Sequence, residues 1–144
     1  MSQCFLAYFD VLGYEARIRN KTLEEESAIQ EKVLDSIRKS IGWATKGVDF
    51  SLISSVHFSD TFIFYSKNDS DKSFASLIAS ALLFMILSPI RGMPYFPMRG
   101  TVSYGDFLAD HEKRIYIGSA LRDAYRFEKN QDWMGCCLTQ DCVE

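Results

Sequence analysis

An excess of positive charge is what this sequence most plainly lacks. Sixteen lysines and arginines stand against nineteen aspartates and glutamates, for a formal charge of -3 and a pI near 5.4, whereas a general nucleic-acid binder usually carries a basic stripe. No nucleic-acid partner is expected, and any anionic ligand must be held by a few local groups. Metal-binding cysteine spacing is missing too: Cys4, Cys136, Cys137 and Cys142 form no paired CxxC and have no histidine nearby, which argues against a zinc site and a disulfide framework. Reduced thiols and a cytoplasmic setting are the expectation. The N-terminus lacks the basic flank and cleavage pattern of a signal peptide. A bilayer-length apolar run is also absent. In "KSFASLIASALLFMILSP" the low-polarity segment from Phe74 to Leu87 falls short of the roughly 18 to 20 residues a crossing needs. It predicts a core or interface helix ended by Pro89 and Gly92, and no membrane span.

What is present is apolar and aromatic. With 144 residues, 47% hydrophobic and 14% aromatic, the chain is long enough for a single domain over 1–144 that buries roughly two thirds of its unfolded surface. "CFLAYFDVL", residues 4 to 12, is a continuous apolar run of the kind found in strands covered on both faces. From Thr22, with Glu25 three residues on as in a capping box, Ile29, Val33, Leu34, Ile37 and Ile41 recur at helical spacing and predict a long helix ending near Gly42. "FSLISSVHF" and "TFIFYS" flank "SD" and read as a hairpin with Asp60 at its tip. "MRGTVSYGDFLAD" and "RIYIGSA" predict a second strand pair, followed by a short helix, "LRDAYRFEKN", and a last strand, "WMGCCLT". The order implies an α+β fold: a ferredoxin-like βαββαβ core, mainly antiparallel, with helices packed on one face of the sheet.

Asp10 raises the first chemical question, because it ends an apolar strand where a lone buried charge is costly. One answer is that it caps the next helix; the other is that it binds a metal. In the split βαβ arrangement the end of the first strand lies beside the hairpin tip, so Asp10 and Asp60 should meet. Two carboxylates at about 4 Å repel by about 4 kcal/mol at an effective dielectric of 20, and a divalent cation reverses that sign. Oxygen sites with few protein ligands suit magnesium, which takes its remaining ligands from water and substrate phosphates. A nucleoside triphosphate is the substrate this predicts. In "VLGY", Leu12, Gly13 and Tyr14 form a glycine turn leading to a helix, where backbone N–H groups can hold phosphate oxygens. Taken singly, the aspartates read more readily as a helix cap and a turn.

The motifs carry a resemblance. "YFDVLGY" resembles the FxDIxGF element of class III nucleotidyl cyclases, and "FSDTFIFYS" their second metal-binding hairpin, with Ser59 in place of the usual glycine. "MRGTVSYG" is similar to the RxGIxxG strand, matching at Arg99 and Gly105 with its glycine falling on Thr101. "GSALRDAYRFE" is similar to the GxxVNxAxRLE helix, matching at Gly118, with Arg126 at the catalytic arginine and Arg122 at the usual asparagine. The four elements keep the family's order from Tyr8 to Glu128. Purine-specific members carry polar base readers where this chain has Val56 and Ile115, so adenine and guanine selectivity is unsupported. The combination most resembles the bacterial antiphage pyrimidine cyclases of Pycsar systems, which make cyclic UMP or cyclic CMP.

That resemblance implies a mechanism. Asp10, Asp60 and the Val11 carbonyl would hold two Mg2+ or Mn2+ ions, and Arg126, with Arg122 as substitute, would clamp the α-phosphate. It also implies a head-to-tail homodimer with the active sites at the interface. The alternative for both arginines is a solvated helix face paired with Asp123 and Glu128. Phe58 and Tyr104 could shape a small base pocket, with core packing as their other role. The chain stops before the region where many cyclases place a late phosphate-binding lysine, so either phosphate contacts come from elsewhere, Arg99 being one candidate, or the domain continues beyond Glu144. Two further readings stay open: a palm-type diguanylate or oligonucleotide cyclase, and a non-catalytic nucleotide-binding dimerisation domain.

Overall fold

A computed structural model of the chain describes residues 2–40, 47–90 and 97–143. Strand β1 (Ser2–Val11) is followed by a short helix α1 (Tyr14–Ile18) and a long helix α2 (Leu23–Ser40). The hairpin of β2 (Ile53–Phe58) and β3 (Thr61–Ser66) leads into α3 (Asp71–Ile90), and β4 (Met98–Asp110), β5 (Ile115–Ile117), α4 (Ser119–Lys129) and β6 (Gly135–Leu138) complete the order. The sheet runs β2-β3-β1-β4-β5, with β6 also on β4. Strand β1 sits between β3 and β4, antiparallel to both, which is the ferredoxin-like core expected. Strand β6 lies parallel to β4, a pairing that needs a crossover connection, supplied by α4.

Local chemistry accounts for the elements. The capping box forms as the sequence implies: Thr22 Oγ1 accepts from the Glu25 amide at 3.2 Å and Glu25 Oε2 accepts from the Thr22 amide at 2.9 Å, satisfying two donors that the first turn of α2 would leave orphaned. Helix α3 runs to Ile90, with Pro89 inside its last turn rather than ending it. The helix ends expected at Gly42 and Gly92, and the apolar position Ile41, lie outside the described residues. Leu77, Ala81 and Phe84 of α3 are buried, while Leu82 and Ile86 are exposed. Two buried serines of α3 bond its own backbone, Ser76 Oγ donating to the Lys72 carbonyl at 2.6 Å and Ser80 Oγ to the Ser76 carbonyl at 2.8 Å, while buried Ser73 donates to Asn68 Oδ1 at 2.6 Å. Among the described residues no helix is long and apolar enough to cross a membrane.

The helices cover both faces of the sheet, not one. Alternate residues of β1 point to opposite sides. Ala7, Phe9 and Val11 pack with Phe62, Phe64 and the α3 residues Leu77, Ala81 and Phe84, whereas Cys4, Leu6 and Tyr8 pack with Ile63, Phe107 and the α4 residues Ala120 and Ala124. A strand apolar at every position demands cover on both sides, and α4 supplies the second layer. Helix α4 lies close enough that a Cβ on Gly118 would meet the Asp106 carbonyl oxygen at 2.0 Å, so glycine is required where the helix begins against β4.

Candidate active site

Asp10 continues the Cys4, Leu6, Tyr8 row and so projects from the α4 side of the sheet at the end of β1. Its register partners are Thr61 on β3 and Arg99 on β4. Asp60 precedes Thr61 in the two-residue loop between β2 and β3, and its carbonyl accepts from the Val11 amide at 2.9 Å. The hairpin tip is thereby pinned to the end of β1, and the two aspartates are neighbours as the topology implied. Ser59, in the position of the family's glycine, has φ of 54°. Positive φ at the first loop residue is the requirement of a tight hairpin turn that glycine ordinarily meets.

Charge accumulates around Asp10. Burial pushes its carboxyl above the ordinary carboxylate value, Lys129 pulls it back, and the negative charges of Asp60 and Glu128 push it up again. Lys129 Nζ lies 3.6 Å from Asp10 Oδ2 and 3.6 Å from Glu128 Oε2, and Arg99 Nη2 lies 4.0 Å from Asp10 Oδ2. Glu128 is fully buried. Arg99 Nε stands 2.9 Å from its Oε1, a close charge contact without hydrogen-bond alignment, and Arg99 Nη1 donates to the Gln131 carbonyl at 2.9 Å. Two carboxylates, Asp10 and Glu128, thus share two cations, with the negative charge of Asp60 beside Asp10.

The remaining positions divide. Among the described residues no three His, Cys, Asp or Glu side chains gather as a metal cage, but a pair of aspartates suffices for a hard cation that completes its shell with water and phosphate. The buried Asp10 carboxyl, held above its ordinary value partly by Asp60, is the place where added positive charge is favoured, so the donor set fits Mg2+ or Mn2+. The amide of Leu12, one of the expected phosphate donors, is already used on the Pro97 carbonyl at 2.7 Å. Gly13 makes the turn at φ of 70°, and Tyr14 opens α1, only five residues long. Arg99 is held between Glu128 and Gln131, which removes it as a free phosphate ligand. Arg122 is occupied by its neighbour Asp123, at 2.8 and 3.1 Å, while Arg126 is exposed on the outer side of α4. Among the described residues no ion pair joins either arginine to Asp10 or Asp60 within one chain. Glu128 pairs with Arg99 and Lys129 rather than with the helix arginines.

Of the base-pocket positions, Val56 and Phe58 line a groove with His57, His111, Arg114 and Tyr116, and Ile115 is exposed on β5. Phe58 also borders a second, more apolar groove with Tyr8, Leu121, Arg122 and Tyr125. It is half exposed, which excludes core packing as its role. Tyr104 does not join them: paired with Phe5, its ring tilted against that ring at 4.8 Å, and donating to Gln3 Oε1 at 2.7 Å, it lies on the α3 side and away from Asp10. The residues that motif reading missed are Glu128 and Lys129. Glu128 had a signal, since it continues the i, i+4 row of Ala120 and Ala124, and all three are buried. Lys129 had none.

No protein-family model matches the chain, and no curated protein does. Solved structures do match in fold. The guanylate cyclase domain of RhGC from Catenaria anguillulae in complex with GTP superposes with a TM-score of 0.71 at 12% identity, over 99% of this chain and 80% of that one. The catalytic core of a rhodopsin-guanylyl cyclase with converted specificity, in complex with ATPalphaS, gives 0.75 at 12% identity, over 99% and 79%. The active GGEEF domain of a diguanylate cyclase from Vibrio cholerae gives 0.52 at 10% identity, over 95% and 83%. The chain therefore has the class III cyclase domain fold along nearly its whole length.

Proposed function

We propose that this chain is a metal-dependent nucleotidyl cyclase that converts a pyrimidine nucleoside triphosphate, UTP or CTP, to its 3',5'-cyclic monophosphate with release of pyrophosphate, as an antiphage second messenger. The observation that carries the reading is the juxtaposition of Asp10 and Asp60 at the end of the central strand of a cyclase-fold sheet, with the buried carboxyl of Asp10 beside a second negative charge. Two Mg2+ or Mn2+ ions, held by Asp10, Asp60 and the Val11 carbonyl, would supply activation of the ribose 3'-hydroxyl and neutralisation of the triphosphate. The bond from the 3'-oxygen to the α-phosphorus forms, the bond to the β-phosphate breaks, and the hydroxyl proton passes to solvent. Charge developing on the α-phosphate calls for a planar cationic clamp. Arg126 is better placed for it than Arg122, which its own Asp123 engages. Because Arg126 does not reach the aspartates of its own chain, the clamp comes from a second copy in a head-to-tail homodimer. Val56 and Ile115 put apolar groups where purine readers would need donors or acceptors, which favours a pyrimidine, UTP slightly over CTP.

A non-catalytic nucleotide-binding domain is the second reading, favoured by one contact: Lys129 already neutralises Asp10 at 3.6 Å. Mixing tests between them. Asp10→Ala chains combined with Arg126→Ala chains place both defects in one site and leave the other intact, so pyrophosphate release should return to about a quarter of the unaltered rate, on random pairing of two-site dimers. Mixed dimers that form yet release no pyrophosphate contradict the shared site.

A further inference from the structure

We propose that Lys129 is a built-in counter-ion of the carboxylate pair, holding Asp10 when no divalent cation is bound and displaced when one binds. The inference rests on the metal-site reading above. Two cations approach Asp10, and they are not equivalent. Arg99 is 21% exposed, pressed against buried Glu128 at 2.9 Å and donating to the Gln131 carbonyl, so moving it would strand a buried carboxylate. Lys129 is 45% exposed and ends α4. Its contacts are the 3.6 Å approaches to Asp10 and Glu128 and a position 5.5 Å from the centroid of the Tyr125 ring. An ammonium on a flexible four-carbon stem can leave for solvent at little expense.

The electrostatic balance explains why such a group would be useful. Without Lys129, Asp10, Asp60 and Glu128 would face Arg99 alone, leaving two net negative charges at a partly buried edge. With Lys129 in place only one remains. A monovalent ammonium at 3.6 Å stabilises that edge yet gives way to a doubly charged ion that contacts the carboxylate oxygens directly. Lys129 is then a positioning residue: it orients Asp10 before loading, and it lowers the apparent affinity for the cation.

Manganese binding without nucleotide tests this, read from the loss of the free Mn2+ electron paramagnetic resonance signal. Lys129→Met should bind Mn2+ about fivefold more tightly than the unaltered chain, the scale of a half-exposed ion pair. Lys129→Gln should do the same, and Lys129→Arg, which keeps the charge, should bind as the unaltered chain does. The rise in melting temperature on adding Mn2+ should be larger in the two neutral variants. Equal or weaker measurable binding by the neutral variants overturns the counter-ion role while leaving the metal site standing. Absence of Mn2+ binding in every chain, with Asp10→Asn indistinguishable from the rest, overturns both.

Discussion

The two faces of the sheet are built on opposite principles. On the α3 side Phe9, Phe62, Phe64 and Phe84 pack in edge-to-face and tilted pairs, their centroids 4.8 to 6.2 Å apart, and the buried Ser76 and Ser80 there satisfy themselves on the helix backbone. On the α4 side the apolar row of β1 ends in Asp10, and the alanine row of α4 ends in Glu128. Arg99 and Lys129 bridge the two. Apolar packing alone would serve stability at least as well as a buried ion network, so the paired charges that end both apolar rows favour the α4 side as the face of the proposed site. Both surfaces of the strands pack a core, and the α4 surface also carries the proposed site.

The comparison breaks most visibly through the aromatic face. Phe84 is 1% exposed and touches three phenylalanine rings, so Phe84→Ala should lower the unfolding free energy by about 3 to 5 kcal/mol. Mn2+ affinity of the fraction that stays folded should be unchanged. Denaturant titration checks the first part and resonance titration the second. A loss of metal affinity larger than the loss of folded protein would blur the division between the faces.

On the charged face, Glu128→Gln leaves Arg99 without its buried partner and should destabilise by about 3 kcal/mol. The paired replacement Arg99→Met with Glu128→Leu should recover most of that stability, again by denaturant titration, because the buried charges leave together. If the recovered protein also retains full pyrophosphate release, the ion network is packing and has no part in positioning Asp10.

The smallest effect sharpens the turn. Ser59 holds φ of 54°, a region that costs a residue with a Cβ about 1 kcal/mol or more, so Ser59→Gly should stabilise the chain by about 1 kcal/mol and leave metal binding untouched. A destabilised glycine variant would show that the Ser59 side chain contributes more to the turn than its backbone strain removes.

How much of this was legible in the sequence follows from the range of each interaction. The capping box of Thr22 and Glu25, the hairpin tip at Asp60 and the full span of β4 depend on neighbours a few residues away, and local spacing reveals them. The apolar β1 already implied two covered faces, although element order alone suggested one. Which of its two roles Tyr104 takes was not legible, because its face depends on the β1–β4 register, Phe5 against Tyr104, which no local pattern contains. Val56 followed from motif spacing and does line a groove. Lys129 was invisible: its meeting with Asp10 depends on where the last turn of α4 lands after crossing the sheet, a property of packing rather than of sequence neighbours.

The most direct test of the cyclase reading offers the purified chain each of ATP, GTP, CTP and UTP with Mn2+, follows pyrophosphate, and identifies the nucleotide product by mass, with Asp60→Asn run in parallel. Asp60→Asn should fold as the unaltered chain does, since the substitution is nearly isosteric and the residue sits in a two-residue turn that its backbone carbonyl, not its carboxylate, ties to Val11, and should release no pyrophosphate. The account predicts cyclic UMP or cyclic CMP from the unaltered chain and nothing from the variant. Cyclic AMP or cyclic GMP as the main product would contradict the pyrimidine assignment. A dinucleotide, or equal turnover in Asp60→Asn, would contradict the central claim that the carboxylate pair on the α4 face performs the cyclisation.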